Sequence, residues 1–137
     1  MPHSEDDGAQ GKAVPGQALA IAAEALYLVN LLAVPGIAFA LLLLLYFRRG
    51  PHTPPLADCH LRQTVSASLW AGILLVAASG LIILLGGDNA PATWVVAIIY
   101  FTVCHSTLVL IGMVGLAKAM AGKVYVYPLV GRPCQGD

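Results

Sequence analysis

Residues 25–49 read ALYLVNLLAVPGIAFALLLLLYFRR. From Ala25 to Phe47 no side chain is charged, and then Arg48 and Arg49 follow in succession. A hydrocarbon core roughly 30 Å thick needs about 20 consecutive apolar residues, so the stretch predicts a membrane-spanning helix over about 25–47. The Tyr46–Phe47 pair ahead of Arg48 and Arg49 predicts an anchor at the lipid–water interface. Upstream, Gln17–Glu24 is also helical in composition and free of Lys and Arg. A helix over all of 17–47 would be about 46 Å long, so its first part is expected at or above the interface. Pro35–Gly36 falls in mid-span. Proline removes one backbone donor and leaves the carbonyl of Leu31 unpaired, which predicts a kinked first helix. Such breaks persist where a neighbouring helix, a hydroxyl or water satisfies the freed groups.

The rest of the chain agrees with a lipid environment. Of 137 residues, 58% are hydrophobic and 10% charged, against about 25% charged in an ordinary soluble domain. A soluble core of this size could not hide that much apolar surface. Further apolar segments run over about 64–85 and 92–121, separated by GGDNAPAT (86–93), whose Gly, Asn and Pro stop helices. Pro91 suits the first turn of the next helix, with Trp94 at its interface. The expected fold is all-α, an integral membrane three-helix bundle. Residues 1–16, acidic and Gly/Pro-containing, are expected to be a flexible tail; the acidic cluster stands where a signal peptide would be basic.

Charge sets an expected direction. Arg48, Arg49, Arg62, Lys118, Lys123 and Arg132 flank one face of such a bundle, and Lys12 alone flanks the other. Positive-inside bias then places the C-terminus in the cytoplasm and the N-terminus in the periplasm of a bacterial inner membrane. In AKAMAGKVYVYPLVGRP (117–133), Lys118 and Lys123 would snorkel to the surface, Tyr125 and Tyr127 would lie at headgroup level, and Pro128 would stop the helix from resuming over the tail at 123–137. The cysteines Cys59, Cys104 and Cys134 are odd in number and scattered, so no disulfide framework is expected, and cytoplasmic thiols are kept reduced. Cys59, His60, His52 and Cys134 share one side but match no zinc spacing, so no metal is expected. Zero net charge gives no sign of a nucleic-acid partner.

Two of these stretches carry a resemblance. HLRQ (60–63), opening the second span, and AKAMAGKVYVYP (117–128), closing the third, resemble the small bacterial membrane proteins of the domain-of-unknown-function 4870 family, a group of helix pattern similar to a chloroplast import-translocon component. The AVPG of the first span (33–36) fits as well, and the resemblance covers about residues 20–130. It implies architecture; the family has no established enzymatic activity.

Polar residues inside lipid are candidate functional sites. Glu24 falls near the outer boundary, where water is in reach, and Asn30 is expected to hydrogen-bond a neighbouring helix. His105 falls about 16 Å down the third helix from Trp94. It has two readings: hydrogen bonding to another helix, or ligation of haem or a chlorophyll-type pigment. Small residues at four-residue spacing, Ala67/Ala71, Ser68/Gly72 and Gly115/Ala119, with Gly112 and Gly122 nearby, predict close helix packing, some of it against other chains. No Ser–His–Asp set, phosphate loop or carboxylate pair is present. The expected function is a non-catalytic integral membrane subunit that packs against other transmembrane chains or copies of itself, with bound lipid and no cofactor. The alternatives are a cofactor-bearing subunit using His105, and a small oligomeric transporter or channel around Asn30, Pro35 and His105.

Overall fold

The computed structural model describes residues 12–134, and within them every regular element is helical. Helices α1 (Gln17–Leu32) and α2 (Ile37–Arg48) are followed by two long ones, α3 (Pro55–Gly86) and α4 (Pro91–Met120). Among the described residues, only α3 and α4 are long and apolar enough to cross a membrane. Each starts on a proline at its first turn, where a missing N–H leaves nothing unpaired. The turn between them is closed by Thr93 Oγ1 donating to the Gly86 carbonyl at 2.8 Å and by Trp94 Nε1 donating to the Asp88 carbonyl at 2.7 Å. Midway along α3, residues Ile73–Ala78 widen into a π-helical segment, and the Tyr100 hydroxyl donates to the Leu74 carbonyl there at 2.9 Å. A side chain reaching into the backbone ladder is a recognised cause of such widening.

The expected first span is a helical hairpin. With 16 and 12 residues, α1 and α2 are about 24 and 18 Å long, each short of the roughly 30 Å apolar core. Pro35 does more than kink the helix: the chain turns back at Gly36, whose φ of 89° lies in a region that glycine enters without Cβ strain. Asn30 Oδ1 accepts the Gly36 N–H at 3.0 Å, so this asparagine ties the turn rather than a distant helix. On its way back α2 lays Leu42 against Ala23, Leu61 and Val65. At the open end of the hairpin, Gln17 Nε2 donates to the Met120 carbonyl at 2.7 Å, and Arg49 pairs with Asp58 at 2.6 Å while lying 3.9 Å over the Tyr46 ring. The start of α1, the end of α2, the start of α3 and the end of α4 therefore share one end of the molecule, here termed the base.

This corrects the expected topology. Three spans would separate Lys12 from the other basic residues. In the hairpin fold Lys12 lies two residues before Val14, which packs on Gly122 just past α4, so all seven Lys and Arg gather at the base. The proposed flexible tail covers residues 1–16, of which 1–11 lie outside the described residues; Gly16 packs on Pro54 and Ala57.

The chain after α4 also departs from expectation. Residues 123–134 fold back over the base, burying Tyr127 and Val130 against Tyr27 and Ala67. Ser66 Oγ donates to the Val130 carbonyl at 2.9 Å. Gln63 Oε1 accepts the Arg132 N–H at 3.0 Å and the Tyr127 N–H at 3.4 Å, while its Nε2 donates to the Arg132 carbonyl. Cys59 and Cys134, expected as separate thiols, are joined by a disulfide with Cα atoms 5.3 Å apart. Cys104 is free.

Small residues on α4 are spent within the chain. A Cβ on Gly112 would meet the Tyr27 ring and Leu28, one on Gly115 would meet Glu24 and Tyr127, and Ala119 packs with Ala20 and Leu56. Beyond the hairpin tip only α3 and α4 continue. The two pack directly on each other there, with Gly86 against Thr93 and the Tyr100 hydroxyl on the Leu74 carbonyl, but as a pair alone they leave most of their surface open: no residue of Ser79–Gly86 is buried, and α4 buries only Thr93 and Ala97 before Leu108.

Candidate functional site: a cleft at the hairpin tip

Where the hairpin stops, a cleft of about 570 Å³ opens against the two long helices. Asn30, Pro35, Gly36 and Phe39 of the hairpin tip form one wall. Ser68, Gly72 and the π segment from Ile73 to Ala77 form the second, and Phe101 and His105 the third. The lining contains no Asp, Glu, Lys or Arg. Asn30, Pro35, Ser68, Gly72 and His105, which the sequence marks for different reasons, thus come together in one place.

The polar groups of this cleft are incompletely bonded. His105 stacks face to face on Phe101, one helical turn earlier, with centroids 5.6 Å apart and planes 9° from parallel. Its Nδ1 is buried and has no hydrogen-bond partner. Ser68 is 6% exposed and its Oγ is likewise unpartnered. Asn30 uses its carbonyl oxygen on Gly36, which leaves over the two hydrogens of its amide nitrogen. An unpaired buried polar group costs about 1–3 kcal/mol, and the His105 Nδ1 and Ser68 Oγ atoms are enclosed by protein beside the cleft. His105 is the one imidazole in the lining.

A second polar cluster, fully bonded, lies deeper in the base. Glu24 and His60 are both 0% exposed. His60 Nδ1 lies 2.5 Å from Glu24 Oε1, and Nε2 lies 3.0 Å from the Lys123 carbonyl. A carbonyl only accepts, so Nε2 carries a hydrogen. A second proton is shared between Nδ1 and Oε1, and the pair is neutral as a whole whichever atom holds it. The Tyr127 hydroxyl donates to Glu24 Oε2. Burial, and the Glu24 carboxylate beside it, hold the Tyr127 phenol far above its usual range, so it stays a donor. The Tyr27 hydroxyl turns instead to the Leu108 carbonyl at 3.2 Å.

Sequence reasoning missed this cluster. Glu24 was expected near water and Tyr127 at headgroup level; both are in the core. His60 bonds Glu24 rather than standing with Cys59, His52 and Cys134 as a metal cluster, and no group of three or more potential ligands occurs among the described residues. Of the other expected anchors, Arg48, Trp94, Lys118 and Lys123 are exposed, and Arg49 and Tyr125 are half-buried. No family model matches the chain, and neither a curated protein nor a solved structure is similar to it at a significant level.

Proposed function

We propose that this chain is a non-catalytic integral membrane subunit of a larger complex, anchored by its compact base and presenting the far halves of α3 and α4 to a neighbouring transmembrane chain. The observation that carries this reading is the unfinished bundle. Four helices and the folded-back tail fill the base, yet past the hairpin tip two helices pack only on each other and leave their outer faces uncovered. In lipid, helices associate through close packing rather than the hydrophobic effect, and a third helix along that pair would supply what the hairpin does not reach. The non-catalytic reading is favoured by the carboxylate–imidazole pair found among the described residues being sealed in the core with its partners made. Seven basic residues at the base favour a cytoplasmic base of a multi-pass protein in a bacterial inner membrane, whereas the Cys59–Cys134 disulfide at the same end favours an oxidising compartment; labelling from each side of the membrane decides between them.

Photo-crosslinking tests the reading. A photoreactive residue at Leu84 or Ile98, both exposed on the far pair, is expected to capture a protein, another chain or a second copy, in native membranes. Crosslinks to lipid alone, with the protein purifying as a free monomer, would contradict it.

A further inference from the structure

The folded-back tail turns sharply at Pro128–Val130. The Val130 N–H donates to the Pro128 carbonyl at 2.9 Å, closing a γ-turn with Leu129 at φ 69°. Such a turn is rare, and its backbone is strained for a leucine. The side chain it presents makes no use of the protein: Leu129 is 101% exposed, between the buried Tyr127 and Val130. Strain that holds an apolar side chain outward points to something outside that receives it.

The depth of this turn follows from two counts. About 20 helical residues cross the roughly 30 Å hydrocarbon core. Counted back from Gly86, the far end of α3, they finish at Ala67; counted on from Pro91, the start of α4, they finish beside Ile111. Ala67 and Ile111 pack in one cluster with Tyr127 and Val130. Both counts therefore put the Leu129 turn at the level where acyl chains end and headgroups begin.

Cations stand just outside that level. The Lys123 carbonyl is held by His60 and the Arg132 N–H by Gln63, about 6–10 Å outward of Ala67 by the helical rise. The headgroup layer adds about 5–8 Å per leaflet, which long Lys and Arg side chains reach. Lys118 joins them, its carbonyl accepting the Lys123 N–H at 2.9 Å. All three side chains are exposed, and none pairs with a carboxylate among the described residues. Glu24 is sealed with His60, Asp58 holds Arg49 and Arg62, and Asp88 lies in the far turn. The counter-charge these cations lack is the one that an anionic headgroup carries.

We propose that the tail clamps an anionic phospholipid: Leu129 enters the acyl layer, and Lys118, Lys123 and Arg132 hold the headgroup phosphate. The clamp rests on the membrane reading above and is independent of a partner chain on the far helices and of the compartment that the base faces.

The test reads tryptophan fluorescence of the full chain in nanodiscs of mixed phosphatidylglycerol and phosphatidylcholine, one of the two carrying brominated acyl chains that quench on contact. Trp70→Phe and Trp94→Phe leave Leu129→Trp as the reporter. Its emission is expected to be quenched, and more strongly when phosphatidylglycerol is the brominated component. Lys123→Gln is expected to lower that preference about fivefold, the worth of one cation beside an anionic surface. Lys118→Gln, Lys123→Gln and Arg132→Gln together change exposed side chains only and are expected to abolish the preference while quenching persists. In the parent chain the same lipids report on Trp70 and Trp94, both exposed on the long helices. Quenching there with none at Leu129→Trp overturns the clamp alone, and quenching at neither overturns the membrane reading with it. Equal quenching by the two lipids, or a preference that survives the triple change, also overturns the proposal.

Discussion

The base and the far pair share α3 and α4 and differ in how their polar atoms and surfaces are covered. In the base, Glu24, His60, Gln63, Ser66 and Tyr127 are buried and each finds a partner. From the hairpin tip outward, Ser68, Ser79 and His105 each leave a buried atom unbonded. Packing follows the same division: α1 lies so close on α4 that Gly112 and Gly115 leave no room for a Cβ, while Leu84 and Leu85 are almost fully exposed. Close packing and closed polar networks are therefore concentrated at one end of this molecule.

The sharpest break of this contrast is expected at Glu24. Glu24→Ala strips the His60 ring and the Tyr127 hydroxyl of a shared buried partner, and removing one member of a buried charged or hydrogen-bonded pair costs about 3–5 kcal/mol. Denaturant titration of the detergent-solubilised protein should show the loss. A change under 1 kcal/mol would mean that the cluster does not hold the base. Tyr127→Phe keeps the ring, which lies 5.7 Å from Tyr27 in an edge-on contact, and removes only the hydroxyl. About 1–3 kcal/mol is expected on the same assay, since Glu24 is left with an unmet acceptor. Leu84→Ala, at an exposed site in lipid, is expected to stay within about 0.5 kcal/mol. If Leu84→Ala matched Tyr127→Phe, the far pair would be as tightly built as the base.

Much of this contrast was legible in the residues, and the parts that were not share a cause. The two long helices follow from their apolar runs and from GGDNAPAT, so the expected 64–85 and 92–121 fall within a residue or two of α3 and α4 at three of four ends. The start of α3 was missed by nine residues because Pro55–Gln63 is too polar to count toward a span, although it is a helix buried under α1 and the tail. The hairpin was read as a span because a half-depth hairpin and a kinked full span share one composition. The distinguishing marks were small: Asn30 six residues ahead of Gly36, and Lys12 as the single basic residue on the wrong side. The hairpin leaves no exception to the charge count. The Tyr127–Glu24 and Cys59–Cys134 bonds depend on the chain folding back after α4, and like the Glu24–His60 bond between α1 and α3 they join residues far apart in sequence that no local pattern pairs. Asn30, Pro35, Ser68, Gly72 and His105 line one cleft, a juxtaposition that only the fold creates.

The hairpin is the claim on which the base, the cleft and the charge distribution all depend, and side-specific labelling tests it most directly. In a chain with Cys59, Cys104 and Cys134 replaced by serine, single cysteines are introduced as Lys12→Cys, Gly50→Cys and Asp88→Cys and reacted in intact and inverted membrane vesicles with a membrane-impermeant maleimide. Lys12→Cys and Gly50→Cys should label from the same side and Asp88→Cys from the opposite one. Labelling of Lys12→Cys together with Asp88→Cys, and apart from Gly50→Cys, would show that residues 17–48 cross the membrane and would contradict the fold described here.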